Sequence, residues 1–278
     1  MKLTKIRNDL QKRMTGKDLI VMCQDKYLAE MQVFLSGSGE EEICLAYQTG
    51  KGTTKMAETL NLKKLEGLSK NQVIKIAHQV ADAFYDYPYN EEDQGLIKYI
   101  SDRESMFVYM NAIVQAAYKS GLLYATSDRQ EGYLMMSGEG FGSVGFFDGL
   151  KMIAAEKKAL GGFQNMKAFI KACFAEGSTI ETRMRKAKRR FIRIEMLVVR
   201  PEYQKQGFMK KMLDTVYEFA DQKGVPVILD TDDKDKCLRY QHLGMQLDRV
   251  RNCGEKFHMY DLIRESESER VAHSTSTS

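Results

Sequence analysis

The segment Glu195–Leu213, EMLVVRPEYQKQGFMKKML, decides the fold of this chain. Residues 195–199 are mostly apolar and predict a buried strand. A polar turn with Pro201 follows, and apolar residues then recur at helical spacing from Gly207 to Lys223. The segment therefore predicts a strand, a turn and a helix that opens at Gly207.

This turn has the chemistry of an anion site. The backbone N–H groups of residues 204–209 are expected to converge at the positive end of the helix dipole. Gly207 lets the backbone approach a ligand closely, and Lys205 and Lys210 add positive charge. We expect a pyrophosphate to bind there.

Apolar periodicity predicts further elements on both sides of this unit. Ser69 is expected to cap a helix that ends near Pro88, and a second helix is expected from about Glu91 to Lys119. The remaining predictions are a hairpin at 122–136, helices within 146–190, a strand at 191–199, a helix at 207–223, a strand at 225–230, a short helix at 233–243 and a hairpin at 245–263. This order predicts an α/β or α+β fold with a mixed sheet.

The composition narrows the class of protein. The 278 residues carry a net charge of +4, which is too small to imply a nucleic-acid partner. We find no apolar run long enough for a membrane span and no signal-peptide core at the start. The five cysteines are odd in number and widely spaced, which argues against disulfides and a metal site and favours a cytoplasmic location.

Two stretches of the chain resemble the GNAT superfamily of N-acetyltransferases. Residues 199–203, VRPEY, followed by 204–209, QKQGFM, resemble its acetyl-CoA motif V-x-P-x-(Y/F) and (Q/R)-x-x-G-x-(G/A), although Met209 replaces a small residue. Residues 240–245, YQHLGM, look like the Y-x-x-x-G-F element of the family, and Lys236 stands where an Asn is often found.

A branch of the family that includes puromycin acetyltransferase is similar at two further places. These are Ala83–Pro88, AFYDYP, and Leu229–Thr231, LDT. The resemblance implies a mixed, mostly antiparallel sheet flanked by helices over residues 70–263, with a helical insertion at about 137–190. Residues 1–69 are expected to form a helical extension of unknown role, and residues 264–278 a disordered tail.

The resemblance also implies the reaction, which is direct transfer of the acetyl group of acetyl-CoA to an amine, without a metal. Glu195 would be the base that deprotonates the amine, and Tyr240 would donate a proton to the leaving thiolate. A strand N–H near Val198 or Val199 would stabilise the carbonyl oxygen. The residues expected to bind the cofactor are Leu197, Val198, Val199, Gln204, Lys205, Gln206, Gly207, Phe208, Met209, Lys210 and Lys236.

Several alternatives stay open. We expect a small-molecule amine as acceptor, but a protein or peptide acceptor fits the same motifs, and a homodimer is left open. Because Met209 and Lys236 depart from the pattern, a catalytically silent CoA-binding regulatory module is an alternative hypothesis. The basic run at 183–193 is typical of a solvated face, and otherwise suggests contact with CoA or with another anion, including nucleic acid. The GxGxxG match at 140–145 is interpreted as a flexible turn after the hairpin.

Overall fold

The computed structural model describes residues 60–270. Its strands are β1 (Lys63–Lys64), β2 (Leu123–Ala125), β3 (Gly132–Gly138), β4 (Ile192–Val199), β5 (Val227–Thr231), β6 (Gln246–Asn252) and β7 (His258–Arg264). Its α-helices are α1 (Lys70–Tyr85), α2 (Arg103–Lys119), α3 (Phe146–Ala159), α4 (Phe163–Cys173), α5 (Ile180–Lys186), α6 (Phe208–Lys223) and α7 (Lys234–His242). Short 3-10 helices lie at Gly95–Lys98 and Pro201–Tyr203.

The strands form one mixed sheet with the order β1-β2-β3-β4-β5-β7-β6. In this part of the chain β4 pairs with β5 in parallel, and the other neighbouring pairs are antiparallel. The mixed, mostly antiparallel sheet flanked by helices that the resemblance implies is therefore confirmed.

A bulge in β4 turns its side chains over between the two halves of the strand. The register with β3 shifts between Met135 and Met136, which makes Glu195 the extra residue on β4. Before Glu195 the even-numbered side chains pack against the core under α6, and after it they pack under α1 and α2. The bulge thus places a carboxylate where β4 changes the face that it buries.

The start of α1 follows the sequence, whereas α2 begins later than predicted. Ser69 and Gln72 form a capping box, because each side chain accepts the backbone N–H of the other residue. α2 starts at Arg103 and not near Glu91, since the carboxylate of Asp102 accepts the N–H of Ser105 and caps the helix there. Residues 86–102 form a loop between the two helices.

The domain extends beyond both predicted limits. Leu60 and Leu62 are buried and β1 pairs with β2, so residues 60–64 are part of the domain and not of an extension. Arg264 ends β7, and residues 265–270 are not a free tail, because Arg189 pairs with Glu265 and Glu269 at 2.6 and 2.8 Å.

The expectations for the rest of both ends fall on residues 1–59 and 271–278, which lie outside the described residues. Between positions 60 and 270 no helix is both long and apolar enough to cross a membrane.

The sheet next to β4 tolerates no side chain at Gly132. A Cβ atom there would lie 2.8 Å from the carbonyl oxygen of Val198, a backbone atom that cannot move without disturbing β4. We expect G132A to lower the free energy of unfolding by roughly 1–3 kcal/mol. G145A is the control, because Gly145 has a negative φ and a Cβ added there would meet no atom within 4 Å. Gly145 is the N-cap of α3, where Ala is less favourable than Gly, so we expect a cost below about 1 kcal/mol for this variant. Urea unfolding that finds equal stability for the two variants would contradict this prediction.

Candidate active site

The site is built around a gap between β4 and β5. These parallel strands pair only through Ile192 with Val227 and Arg193 with Ile228, and they diverge towards their carboxyl ends. On the other side β4 pairs with β3 along its whole length. A strand with one unpaired edge can bind an extended ligand through its free N–H and C=O groups.

The alternation of β4 shows which groups face the gap. The N–H of Arg200 donates to the carbonyl of Glu131, in the connection that leads into β3. The N–H of Val198 faces β3 as well, while those of Leu197 and Val199 face the gap. Of the two residues expected to stabilise the carbonyl oxygen, Val199 presents its N–H to the gap, whereas Val198 directs its N–H to β3.

The turn after β4 has the predicted form. Gly207 caps α6 in the left-handed conformation, with φ 83°, and Lys205 is left-handed with φ 61°. The backbone N–H groups of residues 205–210 have no acceptor within residues 60–270. The turn therefore presents a row of free donors at the positive end of α6, which is the arrangement that binds phosphate groups.

The side chains of the turn divide into two groups. Gln204 and Gln206 donate to the carbonyls of Val199 and Glu202 at 3.4 and 3.0 Å, so they brace the turn. Phe208 packs edge-on against Tyr203, and Met209 packs on the core under α6. Lys205 is exposed, and Lys210 pairs with Asp214 at 2.5 Å on the surface.

Glu195 is a buried carboxylate at the point where the strands separate. Its side chain is only 8% exposed and lies 3.2 Å from the guanidinium of Arg193. It also accepts a hydrogen bond of 2.5 Å from the hydroxyl of Ser137 on β3. Burial raises the pKa of Glu195 above its ordinary value, and Arg193 opposes that shift. A carboxylate with a raised pKa at the edge of a gap is suited to accept a proton.

Tyr240 lies on α7, on the face that packs towards α6. It is 9% exposed, and its hydroxyl has no hydrogen-bond partner among residues 60–270. Burial raises its pKa, and the charge of Asp232 raises it further. The phenol therefore keeps its proton at neutral pH and is available to donate it.

Lys236 contacts the loop at 86–102 and a carboxylate that precedes its own helix. Its ammonium lies over the rings of Tyr87 and Tyr89, with 3.9 and 4.5 Å to the centroids, and pairs with Asp232 at 2.8 Å. Burial alone would raise the pKa of Asp232, but the charge and hydrogen bond of Lys236 lower it below its ordinary value. Among the residues expected to bind the cofactor, Lys236 is thus engaged by Asp232 and two tyrosines, as Lys210 is by Asp214.

A second buried carboxylate joins the loop at 86–102 to the same end of α7. Asp93 accepts hydrogen bonds from the hydroxyl of Tyr260 at 2.9 Å and from the N–H of Lys234 at 3.0 Å. It also lies 2.7 Å from Nδ1 of His258. The loop is thereby fixed beside the helix that carries Tyr240.

Much of the basic run at 183–193 is used in ion pairs within the molecule. Lys186 and Lys188 are exposed. The pairs are Arg183 with Asp248 and Asp261, Arg185 with Glu181, Arg189 with Glu265 and Glu269, Arg190 with Glu139, and Arg193 with Glu181, Glu195 and Asp230. The run therefore offers an anionic partner fewer free charges than its sequence suggests. In the described part of the chain, no group of three His, Cys, Asp or Glu side chains could hold a metal ion.

Sequence reasoning missed Arg193 and Asp230 as members of the site. Arg193 and Glu195 alternate with apolar residues on one strand. This spacing places both side chains on the same face of the strand, so it indicates that their charges are close. Nothing local in the sequence shows that Asp230 would face them across the gap.

A known protein family matches part of this sequence. The acetyltransferase (GNAT) family matches residues 167–245, a range that contains β4, the turn, α6, β5 and α7. None of the curated proteins matches the sequence. The resemblance inferred from the motifs at 199–209 and 240–245 is confirmed by the family match, which does not extend to residues 83–88.

Solved structures of several acetyltransferases are similar to the chain. The match to nourseothricin acetyltransferase has 15% identity and a TM-score of 0.24, and it spans 27% of this chain and about half, 49%, of that protein. An N-acetyltransferase from Staphylococcus aureus Mu50 has 13% identity and a TM-score of 0.41, covering 73% and 98% of the two chains. The ribosomal-protein-S18-alanine N-acetyltransferase from Escherichia coli has 10% identity and a TM-score of 0.37, covering 72% and 91%.

The contact between Lys236 and Asp232 should contribute to stability, because both side chains are largely buried. We expect K236A to lower the free energy of unfolding by roughly 2–3 kcal/mol, since it leaves the carboxylate of Asp232 without its cation. K234A is the control on the same helical turn, where an exposed lysine pairs with exposed Glu92. Urea unfolding should leave K234A at the stability of the unmodified protein, and an equal result for K236A would show that the pair is not stabilising.

Proposed function

We propose that this chain, which matches the GNAT acetyltransferase family over residues 167–245, transfers an acetyl group from acetyl-CoA to the amine of a small molecule. The observation that carries the proposal is the juxtaposition of an anion-binding turn with a gap between two parallel strands. Both features occur at the carboxyl end of β4.

The turn and the gap would bind different parts of the cofactor. The free N–H groups of residues 205–210 would hold the pyrophosphate at the start of α6. The pantetheine arm would then follow the unpaired edge of β4, where Leu197 and Val199 present their N–H groups. This arrangement leads the thioester towards Glu195.

The reaction is an addition followed by an elimination at the thioester. Glu195, directly or through one water, would take a proton from the amine, whose nitrogen then forms a bond to the carbonyl carbon. The N–H of Val199 would stabilise the negative carbonyl oxygen, and the bond between carbon and sulfur would then break. Tyr240 would protonate the leaving thiolate, so that CoA departs as the thiol.

The helices before β4 support a small acceptor. α3 and α4 cover the face of the sheet that α1 and α2 also cover, and their side chains Met152, Met166, Phe169 and Ile170 are buried in that core. Phe169 lies 5.9 Å from the ring of Phe257 in the β6–β7 turn. A peptide acceptor would need an open groove on this face, and these helices fill much of it.

Two other functions fit the same fold. A silent CoA-binding module is favoured by Met209 and by Lys236, whose ammonium is held by Tyr87, Tyr89 and Asp232. A peptide acetyltransferase would share every catalytic group. Thiol release from acetyl-CoA, measured with a panel of small amines and of peptides, separates the three, because the module would bind acetyl-CoA without turnover.

The proposed cofactor site predicts that Gly207 matters for acetyl-CoA binding. G207A places a Cβ at φ 83°, and G142A does the same at φ 82° in an exposed turn before α3. Both variants should lose about 1–2 kcal/mol of stability, because both force an L-residue into the left-handed region. Only G207A should weaken acetyl-CoA binding, by at least about 10-fold, as measured by calorimetry. Equal binding by the two variants would show that the pyrophosphate does not rest on this turn.

The proposed proton donor predicts a loss of turnover in Y240F. We expect kcat to fall roughly 10-fold to 100-fold, the low end of general acid catalysis, because a thiolate leaves readily even without a proton. Y217F is the control, since Tyr217 is also a buried phenol in the same core and its hydroxyl has no partner among the described residues. Its kcat should match that of the unmodified enzyme. An unchanged kcat in Y240F would exclude Tyr240 as the donor.

A further inference from the structure

We propose that Arg193 is a positioning residue for this reaction, whose guanidinium holds the carboxylates of Glu195 and Asp230 in fixed places across the gap between β4 and β5. The inference rests on the proposed function, because it assigns Arg193 a part in placing the base.

The three residues meet where the strands begin to separate. Arg193 is in the last residue pair that joins β4 to β5, opposite Ile228. Glu195 lies two positions further along β4, and Asp230 lies two positions further along β5. Each carboxylate is therefore carried by one of the two strands just beyond their last contact, and Arg193 is the side chain that bridges them.

The contacts of the guanidinium define this bridge. Nε of Arg193 lies 3.2 Å from Glu195, and Nη2 lies 3.1 Å from Asp230. Nη1 donates to Glu181 on α5. All four side chains are largely buried, with Arg193 and Glu195 only 10% and 8% exposed. Because solvent cannot replace these contacts, the position of each carboxylate depends on the guanidinium.

The groups around the bridge are themselves fixed. Glu181 also pairs with Arg185 at 2.5 Å, and Asp230 lies 3.3 Å from Arg251. Arg251 is almost fully buried and pairs with Asp261 on β7 at 2.9 Å. The guanidinium of Arg193 is thus held from two sides, which lets it act as a rigid support for Glu195.

The charge state of Glu195 depends on the same cluster. Arg193 on its own strand and Ser137 on β3 contact its carboxylate, and Glu181 on α5 and Asp230 on β5 act on it through their charges from the other side of Arg193. Arg193 and Ser137 favour the ionised form, whereas burial, Glu181 and Asp230 favour the protonated form. A base must be ionised to accept a proton, so removal of Arg193 moves the acidic limit of activity to higher pH, and removal of the Asp230 charge moves it to lower pH.

The test compares R193Q, R193K and D230N with R190Q. Arg190 is the matched control, since it lies in the same basic run but pairs with Glu139 on the surface and is 66% exposed. Thiol release from acetyl-CoA with the best amine of the panel is measured from pH 5 to pH 9, together with acetyl-CoA binding by calorimetry. E195Q shows the rate that remains without the base.

We expect R193Q to lose about 100-fold in kcat, as a misplaced catalytic group does, while its affinity for acetyl-CoA changes by less than about 2-fold. The pH at which R193Q loses activity on the acidic side should rise by at least about 1 unit. R193K should retain more activity and show a smaller rise. In D230N this acidic limit should move to lower pH. R190Q should match the unmodified enzyme. If Arg193 had only a structural role, the acidic limit of activity would not move to higher pH in the Arg193 variants and to lower pH in D230N.

Equal pH profiles in the unmodified enzyme, R193K and D230N would overturn the proposal, even if R193Q fails to fold. A second readout does not need turnover: the ¹³C resonance of the Glu195 carboxyl, assigned with E195Q, is titrated in each variant. If the unmodified protein binds acetyl-CoA but acetylates no amine, the proposed function fails, and the carboxyl titration still decides whether Arg193 controls Glu195. An unchanged titration in R193K and D230N would contradict that control.

Discussion

The divergence of β4 and β5 is the constraint on which the rest of this structure depends. Two residue pairs join the strands, and beyond them no strand within residues 60–270 pairs with that edge of β4. An unpaired edge inside a domain would leave backbone donors unsatisfied, so such a gap persists only if it is wet or filled by a ligand. The turn at Gly207 opens at the same end of β4, with free N–H groups at the start of α6. An extended anionic molecule, such as the proposed acetyl-CoA, would satisfy the backbone donors of both the gap and the turn.

The gap also explains why so many charges are buried near its closed end. Where β4 and β5 separate, they no longer form backbone hydrogen bonds with each other, and charged side chains connect them instead. Arg193 and Arg251 both contact Asp230, so carboxylates on β4, β5 and β7 are joined through two guanidinium groups. Burying these ions is costly unless every partner is present, which makes the cluster rigid but sensitive to the loss of any member. A rigid cluster at this point keeps the bulge residue Glu195 at a fixed distance from the opposite strand.

The sequence predicts the local elements of this fold well and its long-range contacts poorly. Ser69, Gly207 and the apolar face of α6 predict their helices because caps and periodicity are local signals. The predicted start of α2 was wrong, since the loop at 86–102 is stabilised by Asp93, whose partners lie on β7 and α7. The motifs predicted the turn and Tyr240, but not that Lys236 would be held by the loop before α2. Tyr89 and Lys236 are far apart in the chain. The periodicity of apolar residues predicts local elements only, so it does not predict such a contact.

The loop at 86–102 and the start of α7 therefore form one unit, although they are distant in the chain. Tyr87 donates to Asp233, the N-cap of α7, at 2.7 Å, and Tyr89 donates to Asp232 at the same distance. Lys236 lies between these rings, so a cation replaces the amide that the family often places there. A cation held by two aromatic rings and a carboxylate cannot reach along the gap without breaking those contacts. Lys236 therefore fixes the start of α7, the helix that carries Tyr240, against the loop at 86–102. In the proposed reaction, the pantetheine arm would then be bound mainly through the backbone of β4.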